Sequence, residues 1–149
     1  MPESDLIKLY SARILELAAS VPLTGRLDTP DASSSKRSPQ CGSNVTVDLC
    51  VKDGRVSAFA QDVRACALGQ AAASVVGANV VGCSRVEVER GLNQLKAMLA
   101  DNGPAPEAPF EGLEAMIAAR GFENRHASIM LALDATLDAL KQAERLVAV

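Results

Sequence analysis

Two thiols, Cys41 and Cys66, stand where the chain changes direction, and a thiolate is both a nucleophile and a metal ligand. Cys41 is followed by Gly42, which lets the backbone turn tightly beside the sulfur. Cys66 sits where a strand pattern gives way to Ala67, Leu68, Ala71, Ala72, Ser74 and Val75, small or apolar residues suited to a helix packed closely on a sheet. A thiol at a helix N-terminus faces the positive end of the helix dipole, which favours thiolate, and Arg64 would push the same way. None of the cysteine spacings is CxxC, so a metal site has to be assembled in three dimensions. Cys50 falls on the polar side of a strand and Cys83 just ahead of a helix cap, with nothing to bring either to the other two. A single histidine, His126, and no Gly-rich nucleophile turn leave a catalytic triad no foothold; GxGxxG and P-loop patterns are absent too.

The elements that must position the two thiols are legible around them. Val45, Val47, Leu49 and Val51 alternate with Thr46, Asp48, Cys50 and Lys52, the period of a strand with one buried face. Asp53-Gly54 supplies the positive φ angles of a tight hairpin turn, and residues 56–63 return. The spacing predicts that Cys41 and Cys66 meet at the open end of this hairpin.

The rest of the chain reads as helices. Residues 4–20 carry Leu6, Leu9, Tyr10, Ile14 and Leu17 on one helical face and Lys8, Arg13 and Glu16 on the other. Leu23 to Ser38 turns polar, and residues 28–38 are expected to form a mobile loop, because DASSSKRS has little apolar content with which to order itself. Ser84-Arg85-Val86-Glu87 has the form of a capping box ahead of Val88, Leu92, Leu95 and Leu99. Leu113, Met116 and Ile117 suggest a brief helix, and Ile129, Leu133, Leu137, Leu140 and Leu146-Val147 mark a last helix that Asn124 is placed to cap. The expected class is α+β, a small antiparallel sheet packed against several helices in one domain over residues 1–149. A net charge of −3 and scattered basic residues argue against a nucleic-acid partner, and no apolar run is long enough to span a bilayer. The expected compartment is the cytoplasm, with the thiols reduced.

This order of parts resembles the NifU/IscU/SufU family of iron-sulfur cluster scaffolds, most of all its SufU branch, over nearly the whole chain. In that branch the first site reads Cys-Gly-Asp, the second Gly-Cys-Ala and the third Phe-Pro-x-Arg-x-x-Cys. Cys41-Gly42 matches the first, with Ser43 where the family has aspartate; Cys66-Ala67 matches the second, with Ala65 in place of glycine. The third falls on Phe122 to Ser128, where Phe122 and Arg125 keep the register and Ser128 replaces the cysteine, and Asp134-Ala135 supports the alignment. A rival register sets His126-Ala127 against the His-Cys of the IscU branch but loses the match at Asp134.

The resemblance implies a scaffold or sulfur acceptor that takes sulfur or metal at Cys41 and Cys66 and passes it on. A cysteine desulfurase would be the donor, contacted by the N-terminal helix and the Cys41 loop, and apo-proteins the recipients. Zinc or an iron-sulfur cluster would be held by Cys41, Cys66 and a third ligand, with His126 as the candidate; Ser43 and Ser128 occupy family ligand positions with neutral hydroxyls. The alternative is a cofactor-free relative that keeps the fold and acts as a binding or regulatory protein. The resemblance leaves open whether the chain is itself an enzyme.

Overall fold

The computed structural model describes residues 10–39 and 42–147; Leu6, Lys8 and Leu9 of the N-terminal helix, and Cys41, lie outside them. In chain order the elements are α1 (Ala12–Ala19), β1 (Ala32–Arg37), β2 (Asn44–Lys52), β3 (Arg55–Arg64), α2 (Ala67–Asn79), α3 (Arg85–Ala100), a 3₁₀ helix (Glu111–Ala119) and α4 (Glu123–Val147). The strands form an antiparallel sheet in the order β1-β2-β3. One face is covered by helices, which makes the class α+β as expected.

The hairpin forms where the alternation placed it. Val45, Val47 and Leu49 are buried, and Asp53 and Gly54 both adopt positive φ (55° and 75°), the conformation that lets a two-residue turn follow the strand twist. Asn44 pairs with Arg64, so the chain on either side of the hairpin emerges at one end of the sheet. Helix α2 starts there. It is buried on nearly every side, by α1, α4, β3 and the 3₁₀ helix, which explains its run of Gly and Ala: larger side chains would hold these neighbours off.

The loop expected over residues 28–38 is in fact largely strand β1, an error with a readable cause. Its core-facing positions are Ala32 and Ser34, both buried, so hydroxyls stand where apolar residues were looked for. Ser34 Oγ donates to Asp138 Oδ2 on α4 at 2.7 Å, and on the other face Ser35 and Thr46 share a hydrogen bond at 2.6 Å. Backbone pairing with β2 and these polar contacts supply what hydrophobic burial does not.

The outer face of the sheet has its own cover. Residues 23–31 begin beside β3, where Gln61 donates to the Leu23 carbonyl and accepts from Gly25 N–H, and end where Asp31 N–H donates to the Leu49 carbonyl. Between those points they cross Asp48, which is fully buried. Arg26 donates to both of its carboxylate oxygens at 2.6 and 3.0 Å, Leu27 N–H donates at 3.0 Å, and the Ser33 hydroxyl adds a fourth bond. The Arg26 guanidinium holds the Asp48 carboxyl down at about 2, aided by Ser33 and Leu27 N–H and opposed by burial.

The helical layer follows its sequence signals with two differences. Ser84 and Glu87 form the capping box of α3. Phe110, Leu113, Met116 and Ala119 are all buried, a spacing of three that suits the three residues per turn of the 3₁₀ helix found there. Asn124, read as a cap, lies inside the first turn of α4. No helix among the described residues is long and apolar enough to cross a membrane.

Candidate functional site

Three of the residues that could do chemistry meet at the open end of the hairpin. Cys66 is the N-cap residue of α2, and its side chain makes no capping bond, so the sulfur is left to the site. Ser128, in the second turn of α4, lies with Oγ 3.5 Å from Cys66 Sγ and donates a 3.0 Å hydrogen bond to Ser43 Oγ. Both serines are buried, and Cys66 is half-buried.

Each element brings its residue in for a local reason. Gly42 adopts φ +71°, a turn that glycine makes without strain; its N–H donates to the Ser38 carbonyl, and Ser38 N–H donates to the Ser43 carbonyl. This small loop sets Ser43 against α4. Gly69 brings α2 and α4 together: a Cβ at that position would lie 2.7 Å from Ser128 Oγ and 2.7 Å from Ala65 Cβ. Sequence reasoning overlooked Gly69, although a lone glycine inside a helical pattern is itself a sign of close packing. It also took Asp48 for part of a solvated strand face, since its partner Arg26 lies on a distant loop.

The remaining candidates are engaged elsewhere. His126 directs Nε2 to the carbonyls of Ala119 and Arg120, at 2.9 and 3.2 Å, and so fastens the end of the 3₁₀ helix to α4. Cys83 is buried with its S–H on the Asn79 carbonyl, and burial pushes its thiol up to about 11. Cys50 is half-buried, with its S–H on the Thr29 carbonyl at 3.6 Å. Cys50, Cys66 and Cys83 are all unbridged. Among the described residues no group of three His, Cys, Asp or Glu side chains is arranged to hold a metal ion.

Comparison with known proteins places the chain as a whole. The crystal structure of a nitrogen-fixing NifU-like protein (N-terminal) from Brucella abortus matches with a TM-score of 0.92 and 41% identity, over 95% of this chain and 98% of that one. The chain belongs to the NifU/IscU/SufU scaffold family. The iron-sulfur cluster assembly scaffold protein IscU of Thermotoga maritima is 26% identical over 92% of this chain and 96% of its own. A putative iron-sulfur cluster assembly scaffold protein for the SUF system from Fervidobacterium islandicum AW-1 shares the fold, with a TM-score of 0.80 at 16% identity, over 90% of this chain and 98% of that one. No family model matches the sequence.

The positions that the resemblance aligns with family ligands, 43, 66 and 128, are linked in space through Ser128. The two separations that involve Ser128 are of the size found around one tetrahedral zinc, where donors lie roughly 3.5 Å apart. The chemistry of these residues does not suit such an ion. Zinc and iron-sulfur centres are held by thiolates, imidazoles and carboxylates. Here one thiol faces two neutral hydroxyls bonded to each other, and the described residues do not form a metal centre on their own.

Proposed function

We propose that this chain serves iron-sulfur cluster assembly as a scaffold-family protein that accepts sulfur at Cys66 and Cys41 and passes it on. The observation that carries this reading is the meeting of Cys66 with Ser43 and Ser128, which keeps the family's ligand positions together around a partly exposed thiol. The name of the Thermotoga relative, matched over nearly its whole length, supports the same role. A cysteine desulfurase is the proposed donor and an apo-protein the recipient, in the cytoplasm, where thiols stay reduced. The cluster or its sulfur is cargo, and zinc is not needed for the step.

In that step a Cys66 thiolate attacks the outer sulfur of a donor persulfide. The donor S–S bond breaks, a new S–S bond forms on Cys66, and the donor leaves as a thiolate, so no external oxidant or reductant is consumed. Cys66 is partly exposed, which supports access by a donor from outside, and Ser128 contacts its sulfur from the inner side.

A second reading has a specific observation behind it. The Ser128 to Ser43 hydrogen bond joins the two substituted positions to each other, as expected of a cofactor-free binding protein that keeps the family fold. Incubation with a cysteine desulfurase and cysteine without oxygen, followed by persulfide mapping and assay of iron and acid-labile sulfide, separates the two. Persulfide on Cys66 or Cys41 that is lost in the matching Cys→Ser variant supports the sulfur acceptor. No persulfide, sulfide or metal on the wild-type chain overturns it in favour of the binding protein.

A further inference from the structure

We infer that Ser43 and Ser128 determine the cargo of this pocket: sulfane sulfur on the Cys66 thiol, with no metal ion tightly retained. The inference rests on the proposed sulfur-accepting role and adds to it the residues that set selectivity.

Three observations point the same way. Two of the donor separations, 3.5 Å from Cys66 Sγ to Ser128 Oγ and 3.0 Å from Ser128 Oγ to Ser43 Oγ, are of the size found around a small ion, so these distances do not themselves keep a metal out. Both hydroxyls are buried, Ser43 at 3% and Ser128 at 1% exposure, and a neutral hydroxyl cannot offset the cost of bringing a divalent cation into such surroundings. Among the described residues the other candidate donor, His126, has Nε2 on two backbone carbonyls. A persulfide on Cys66 makes no such demand. It adds a soft atom beside the Ser128 hydroxyl, which lies 3.5 Å from the Cys66 sulfur and can donate to it or accept from it.

The two serines therefore act as a selectivity filter by charge, and changing them should change the cargo. The test uses the full chain with two probes, zinc alone in competition with a chromophoric chelator, and glutathione persulfide with mass mapping of the modified cysteine. Wild-type protein is expected to release all zinc to the chelator while gaining one sulfur atom on Cys66. Ser43→Asp/Ser128→Cys is expected to retain one zinc per chain, and Ser128→Cys alone, which is nearly isosteric and can give up its proton to ligate the ion as a thiolate, to shift the competition toward the protein. Wild-type chain that retains stoichiometric zinc, lost in Cys66→Ser, overturns the inference while leaving sulfur acceptance standing. Folded Ser128→Cys with zinc binding no tighter than wild type overturns it as well. Failure of both Cys66 and Cys41 to take sulfur would instead strike at the proposed function.

Discussion

Arg26 closes over Asp48 from the far side of the sheet, two nitrogens on two carboxylate oxygens, and so ties a loop to the middle of β2. Because the folded carboxyl is held near 2, below its ordinary value of about 3.9, the contribution is fully present above about pH 4 and lost as pH falls through 2. It amounts to about 2 kcal/mol. Urea unfolding of wild type and Asp48→Asn between about pH 6 and pH 2 should show the wild-type advantage shrinking over that acid window. An advantage independent of pH would mean that the ion pair is not its source.

Gly69→Ala should destabilise the protein. The helix propensity of alanine favours it by about 1 kcal/mol, but the new methyl meets Ser128 Oγ and Ala65 Cβ at 2.7 Å, and overpacking of this kind costs about 1–3 kcal/mol. Thermal unfolding gives the net sign, and the alkylation rate of Cys66 should change with it as α2 and α4 are forced apart.

Ser34→Ala tests the hidden strand. It removes the hydrogen bond to the Asp138 carboxylate and should cost about 1–3 kcal/mol. Ser34 is also the chief cause of the lowered Asp138 carboxyl, so that group should titrate higher in the variant, and the loss of stability should narrow at acid pH. Amide exchange of residues 32–37 should quicken in the same protein.

His126→Ala should lower stability by about 1 kcal/mol through the lost carbonyl contacts and leave persulfide formation at Cys66 unchanged. Loss of sulfur uptake in a folded variant would return His126 to the site.

Native-state alkylation should rank the thiols. With its sulfur buried and raised to about 11, Cys83 should remain unmodified near pH 8 while half-buried Cys66 reacts, and the two should converge in denaturant. Mass mapping of the adducts reads this directly.

How much of this was written legibly in the chain depends on whether the deciding interaction is local. The hairpin announced itself through Val45, Val47, Leu49 and the Asp53-Gly54 turn, and α3 through Ser84 and Glu87, each a signal contained within a few residues. Strand β1 gave no such sign, because Ser34 is satisfied by Asp138 on the last helix and Ser33 by Asp48 on the neighbouring strand. The 3₁₀ helix was read as a helix from Leu113 and Met116, but its type shows only once Phe110 and Ala119 join the same buried row. The family alignment indicated positions 43, 66 and 128, while the commitment of His126 to backbone carbonyls depends on the packing of the 3₁₀ helix.

Ser43 and Ser128, now in contact, are separated by 85 positions of chain. On the ribosome, Cys66 emerges well before Ser128, and α2, apolar on nearly every side, has no reason to hold its shape in water until α4 arrives to cover it. The pocket therefore comes into being only once α4 has been made and packed. A chain without α4 presents an ordinary cysteine, and only one that has packed α4 over it presents the site.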